Sequence, residues 1–193
     1  QVPSNPAEGA RHRVFDLIGP NSVDAVALLT TSIMHQVGRT GVEAYCKEHF
    51  RSLPYYSIGA ALEGAPFVAP NNQGAIEEVV DHLVRVHGAR RLALLRGPMA
   101  NEEAERRYQA YVDSLKRHEL LFESKLVAVG NFVMSGAREA IKQFAQLPGM
   151  RLEDLDAIVA SNDSMAIGAL AALEERGIAV PDKVALTGFD DVE

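Results

Sequence analysis

Apolar residues along the chain alternate between two spacings, and that alternation predicts the architecture. Residues 23–30 (VDAVALLT) form a short apolar run with the length and β-branched content of a buried strand. Val42, Tyr45, Cys46, His49 and Phe50 then fall on one helical face, and Pro54 opens a second apolar run, PYYSIG, ending at Gly59. Ile76, Val79, Val80, Leu83 and Val84 recur at i, i+3, i+4, i+7 and i+8, which predicts a helix closing at Gly88 with His87 in its last turn. A strand at 92–95 opens a second series, with helices near 101–118, 135–147 and 164–177 and strands near 125–130, 156–160 and 183–188.

Strands separated by helices of this length make βαβ units, so the expected class is α/β, with mostly parallel sheets covered by helices. The basic, glycine-containing stretch at 87–91 is the expected boundary between an N-terminal lobe (1–88) and a C-terminal lobe (89–193). No internal repeat or low-complexity segment interrupts the pattern.

Composition changes this picture by exclusion. Of 193 residues, 47% are hydrophobic and 23% charged, as in an ordinary globular protein. With 19 Lys and Arg against 26 Asp and Glu, the net charge of −7 gives the chain no overall attraction to a phosphate backbone. The single Cys46 cannot form an internal disulfide and sits at a helical core position, where it reads as a small packed hydrophobe. No apolar run approaches the roughly 18 residues that span a bilayer, and the first residues lack the basic-then-apolar layout of a signal peptide. A membrane-free, reducing, cytoplasmic setting is the expectation.

Chemistry in an open parallel sheet collects beyond the carboxyl ends of the strands, where amides, helix N-termini and loop side chains converge. Here the strands run into Arg96-Gly97-Pro98, Ser161-Asn162-Asp163 and Phe189-Asp190-Asp191. Ser161, Asn162 and Asp163 are equally suited to capping the helix that follows, and Asp190 and Asp191 to being solvated loop carboxylates. Arg107 lies three residues after Ala104 and four before Tyr111, at the edge of its helix's buried stripe, whereas Arg106 points away. It needs a partner there, either Glu103 nearby or a bidentate acceptor in a cleft.

Catalytic signatures are missing: no phosphate loop, no G-x-G-x-x-G, no G-x-S-x-G and no H-E-x-x-H. His82 and His87, five apart, would stand about 140° apart on a helix and so could not share a metal ion. Neither an enzyme, nor a cofactor, nor a metal site is expected.

The run DAIVASNDSMAIGALAALEERGIAVPDKVALTGFDD (156–191) resembles the signature of the LacI/GalR effector-binding domain, which shares its fold with periplasmic sugar-binding proteins. RRLALLRGP, RRYQAYVDSLKRHEL, VGNFVMSGAREAI and NNQGAIEEVVDHLVRVHG extend the likeness over most of the chain from about residue 23. The resemblance implies a two-lobed receptor that binds a small polar effector, a sugar or nucleoside, between its lobes and signals by their closure. It implies ligand contacts from Arg107, Asn162, Asp163 and Asp190, and from Asn71, where the family often has aspartate and the contact here is neutral. It further implies a homodimer that reaches DNA only through a separate domain. The family continues on both sides of this stretch, so an incomplete fold is expected. A sensor module of a histidine kinase or diguanylate cyclase, and an exported solute-binding protein, share the same architecture and stay open.

Overall fold

In a computed structural model, which describes residue 18 and residues 21–192, the chain divides into two compact units, Gln1–Pro70 and Asn71–Glu193. The first unit carries a three-stranded parallel sheet of β1 (Val26–Leu29), β2 (Tyr55–Ile58) and β3 (Phe67–Val68), in that order. Helix α1 (Thr30–His49) follows β1 and is broken at Gly38, whose φ of 73° is a left-handed value that glycine adopts without a Cβ clash. Val42 and Cys46 of α1, with Phe50 just past its end, bury against Leu28, Leu53 and Leu62. Cys46 is thus packed, and burial pushes its thiol pKa up. The two-residue β3 was not anticipated, because a pair of residues set between Pro66 and Pro70 is too short to read as a strand.

The second unit is built on a four-stranded parallel sheet in the order β5-β4-β6-β7, from β4 (Leu92–Arg96), β5 (Val127–Val129), β6 (Ala157–Ala160) and β7 (Ala185–Thr187). Every residue of β4 and β6 is buried, as expected for central parallel strands covered on both faces. Alternate residues supply two cores. Leu92, Leu94, Ala157 and Val159 pack under α2 (Asn72–Arg85) and α3 (Glu102–Arg117). Ala93, Leu95, Ile158 and Ala160 pack under α4 (Met134–Ala145) and α5 (Asp163–Glu174). Asp156 joins the amino ends of β4 and β6 by accepting from the amides of Arg90 (2.7 Å) and Arg91 (2.8 Å).

Two expectations change. The division falls after Pro70, not at 88/89, because Ile76, Val80, Leu83 and Val84 of α2 share their core with Tyr111 and Leu115 of α3. Helix α2 also ends at Arg85 rather than reaching His87. Gly88, at φ 68°, reverses the chain so that the Ala89 amide donates to the Leu83 carbonyl at 3.0 Å. Helical spacing therefore does not govern His82 and His87, and their Nε2 atoms approach within hydrogen-bond distance. Among the described residues no helix is long and apolar enough to cross a membrane.

Candidate functional site

The carboxyl ends of β4, β6 and β7 bring together most of the polar side chains singled out by their position after strands. At the centre is Arg107, one turn into α3, whose start is fixed by Asn101 accepting from the Ala104 amide at 2.9 Å. Arg107 is 5% exposed, and burial of a charged side chain at that depth requires compensation for the lost water. Nε donates to Oδ1 of Asn72 at 2.7 Å and Nη1 to the carbonyl of Ser161. Nη2 stands 3.9 Å from Oδ1 of Asp190. The Phe189 ring lies 3.5 Å from the guanidinium carbon and the Phe132 ring 5.9 Å, both within cation–π reach.

The electrostatics follow from this burial. Desolvation lowers the Arg107 pKa, against the pull of Asp190 and Glu103, yet a guanidinium keeps its proton in any such setting. Asp190 is raised above the ordinary carboxylate value chiefly by burial, with Asp163 adding repulsion and Arg107 opposing. Burial likewise raises Glu103. Asp190 and Phe132 both hold positive φ, 118° and 61°, conformations that cost a residue with a Cβ about 1–3 kcal/mol and cluster at ligand-binding loops.

Asn162 does two things at once. Its Oδ1 caps α5 by accepting from the Met165 amide at 3.0 Å, and its Nδ2 donates to the Phe132 carbonyl at 3.2 Å. Asp163 holds the 188–192 loop: its Oδ2 accepts from the Val192 amide at 2.8 Å, and its own amide donates to the Phe189 carbonyl at 3.0 Å. A Cβ on Gly188 would run into that carboxylate, so the close approach of loop to helix needs glycine there. Asn71 stands apart from this group. It caps α2 by accepting from the Gly74 amide at 3.0 Å, and it is exposed, whereas Asn72 is 2% exposed and reaches Arg107.

Three further groups complete the cluster. Arg96, the last residue of β4, pairs through Nη2 with Glu105 and lies 4.1 Å from the centre of the Tyr108 ring. Arg96 Nε, Ser161 Oγ and Thr187 Oγ1 are buried polar atoms without a hydrogen-bond partner, one at the carboxyl end of each of β4, β6 and β7. Phe132 fits beside Gly97 because a Cβ at residue 97 would strike its ring and come within 2.8 Å of Ala104 Cβ. A signal for Asn72 was present in the sequence: it lies four residues before Ile76 and eight before Val80, on the buried stripe of α2, where a polar residue must find a partner. Together these groups offer donors, acceptors and two aromatic faces in one place, the equipment for holding a hydroxylated ring.

The periplasmic binding protein-like domain family matches residues 80–193, more than half of the chain. The HTH-type transcriptional regulator AscG of Escherichia coli (strain K12) is 38% identical over 105 residues, which is 54% of this chain and 30% of AscG. A solved sugar-binding transcriptional regulator of the LacI family from Escherichia coli, complexed with phosphate, superposes with a TM-score of 0.76 at 27% identity over 98% of this chain and 64% of that one. The transcriptional regulator CelR in complex with cellobiose gives 0.74 at 26% identity over 97% and 54%. The chain thus spans less than two thirds of each of these relatives. It belongs to the periplasmic binding protein-like domain family, in the form carried by LacI-type regulators.

Proposed function

We propose that this chain is the effector-sensing part of a LacI/GalR-type transcriptional regulator and that its effector is a small neutral sugar. The observation that carries the reading is the buried Arg107 guanidinium, set among Asn72, Asp190 and the rings of Phe132 and Phe189 at the carboxyl end of a parallel sheet. A fixed guanidinium fork and a neighbouring carboxylate suit a pair of adjacent hydroxyls, and aromatic faces suit the apolar face of a sugar ring. Arg107, Asn162 and Asp190 are the contacts proposed, Asp163 holding the Asp190 loop in place and Asn71 the helix that presents Asn72. Relatives that are regulators, one of them solved with cellobiose, support the same reading.

In this function the protein is a receptor and no enzyme. It works in the cytoplasm as a homodimer, with DNA contacted by a separate domain. Effector binding transmits a signal only to the extent that it favours one state of the regulator over another. Isothermal titration calorimetry of the chain with cellobiose and a panel of neutral mono- and disaccharides tests the assignment. Saturable binding that Arg107→Ala and Asp190→Ala each weaken by about 1–3 kcal/mol is expected. Affinity unchanged in both variants would remove these residues from the site.

A further inference from the structure

Outside the Arg107 cluster, His82 and His87 form a pair that the proposed function does not use. His82 is in the last turn of α2 and His87 just beyond its end, both exposed. Their Nε2 atoms are 3.0 Å apart, with ring centroids at 4.8 Å and ring planes at 72°. Two imidazole nitrogens bound to one metal ion at about 2.0–2.1 Å stand about 2.9 Å apart when they subtend a right angle and about 3.4 Å at the tetrahedral angle. Ring centroids in the right-angled case are about 4.5 Å apart, whereas an in-line N–H···N hydrogen bond sets them about 5.3 Å apart. The nitrogen separation suits two nitrogens on one ion, the centroid distance lies between the two cases, and a bound ion would take the place of the proton that the two rings share in an N–H···N hydrogen bond.

We propose that His82 and His87 chelate a divalent transition-metal ion of the nickel and copper type, which prefers imidazole and right-angled coordination. The charge of the location agrees, since the carbonyl end of α2 favours a cation. Asp81 is not a third ligand: it accepts a 2.6 Å hydrogen bond from His118 and has Arg85 at 3.7 Å. Among the described residues no group of three His, Cys, Asp or Glu side chains is placed to hold a metal, so solvent fills the remaining positions. Bound there, the ion fastens the turn at residues 86–88 to the end of the helix whose first residue, Asn72, holds Arg107.

The test is calorimetric titration of the chain with Ni²⁺ alone, alongside its thermal melt with and without the ion. One site is expected, with a higher Tm in the presence of Ni²⁺ as mass action requires. His82→Gln and His87→Gln should each lower the affinity by at least about tenfold, and the double variant should lose little more than either. His118→Gln should bind as the parent does, and metal-free melts of the His82 and His87 variants check that they fold. Absence of Ni²⁺ binding by the parent overturns the proposal, as does undiminished binding by either folded single variant.

Discussion

Arg107 Nε and Asn72 Oδ1 meet at 2.7 Å across 35 residues of sequence, both buried, joining the first residue of α2 to the second turn of α3. Helices α2 and α3 cover the same face of the sheet, so this bond ties that layer to the carboxyl ends of the strands.

Breaking one side of the pair leaves a buried guanidinium short of an acceptor, which costs more than the net worth of a hydrogen bond. Asn72→Ala should destabilise the chain by about 1–3 kcal/mol in urea denaturation. In a double-mutant cycle with Arg107→Met, Asn72→Ala should show a coupling of at least about 0.5 kcal/mol. Asn71→Ala removes only a cap and should add to Arg107→Met within about 0.5 kcal/mol. Additivity at Asn72 would show that the guanidinium is held by its other partners.

Helix stripes and buried strand runs were legible because side chains facing a doubly covered sheet must be apolar. The strand expected at 92–95 is β4, extended by one residue to Arg96, and Tyr111 and Leu115 face the core as their spacing predicts. The α/β class and the kinship with LacI-type receptors were readable for the same reason, since long strand-helix runs leave a dense pattern. Local chain reversals were not. The left-handed Gly88 ends α2 before His87, and a helical projection carried past that point puts His82 and His87 on different sides. The lobe division was misplaced because the apolar stripe of α2 shows that it is buried without saying against which sheet. Asn71 and Asn72 are adjacent and chemically identical, so only the phase of that stripe separates the cap from the buried partner.

Asn162 combines a cap with a tether to the Phe132 carbonyl, and substitution can separate them. Asn162→Ala loses both and should cost about 0.5–2 kcal/mol of stability, the range for a lost N-cap. Asn162→Ser keeps an oxygen for the Met165 amide and should restore most of that stability while leaving the Phe132 loop untethered. If Asn162 also contacts the effector, sugar affinity stays low in the serine variant even as its stability returns. Recovery of both together would reduce Asn162 to a cap.

Acid stability should carry a contribution from Asp81. The hydrogen bond from His118 holds its carboxyl below the ordinary value of 3.8, with Arg85 and Arg117 adding to the effect and burial opposing it. Because the folded-state pKa is depressed, the unfolded chain takes up the proton first as pH falls. The contribution is therefore complete above the ordinary value and lost as pH falls below 3.8 through the lowered one. Urea denaturation from pH 6 down to about pH 2.5 should show a shallower loss of stability in Asp81→Asn than in the parent across that acid window. Parallel curves would mean that Asp81 interacts equally in both states.

Gly168 sets two local preferences against each other. It lies inside α5, where alanine is favoured over glycine by about 1 kcal/mol. A Cβ there, however, would run into the Met134 carbonyl oxygen and come within 2.7 Å of Met134 Cα. Those are backbone atoms at the first residue of α4, so no rotamer change relieves the clash, and overpacking of this kind costs about 1–3 kcal/mol. Gly168→Ala should therefore lower the stability on balance, by up to about 2 kcal/mol in thermal or urea denaturation. Since α4 begins two residues after Phe132, a displacement of its start should also move that ring, and sugar affinity should fall in a variant whose Arg107 and Asp190 are intact. A Gly168→Ala chain more stable than its parent would mean that α4 and α5 separate freely enough to take up the methyl group, and the close contact between them would then have no part in placing Phe132.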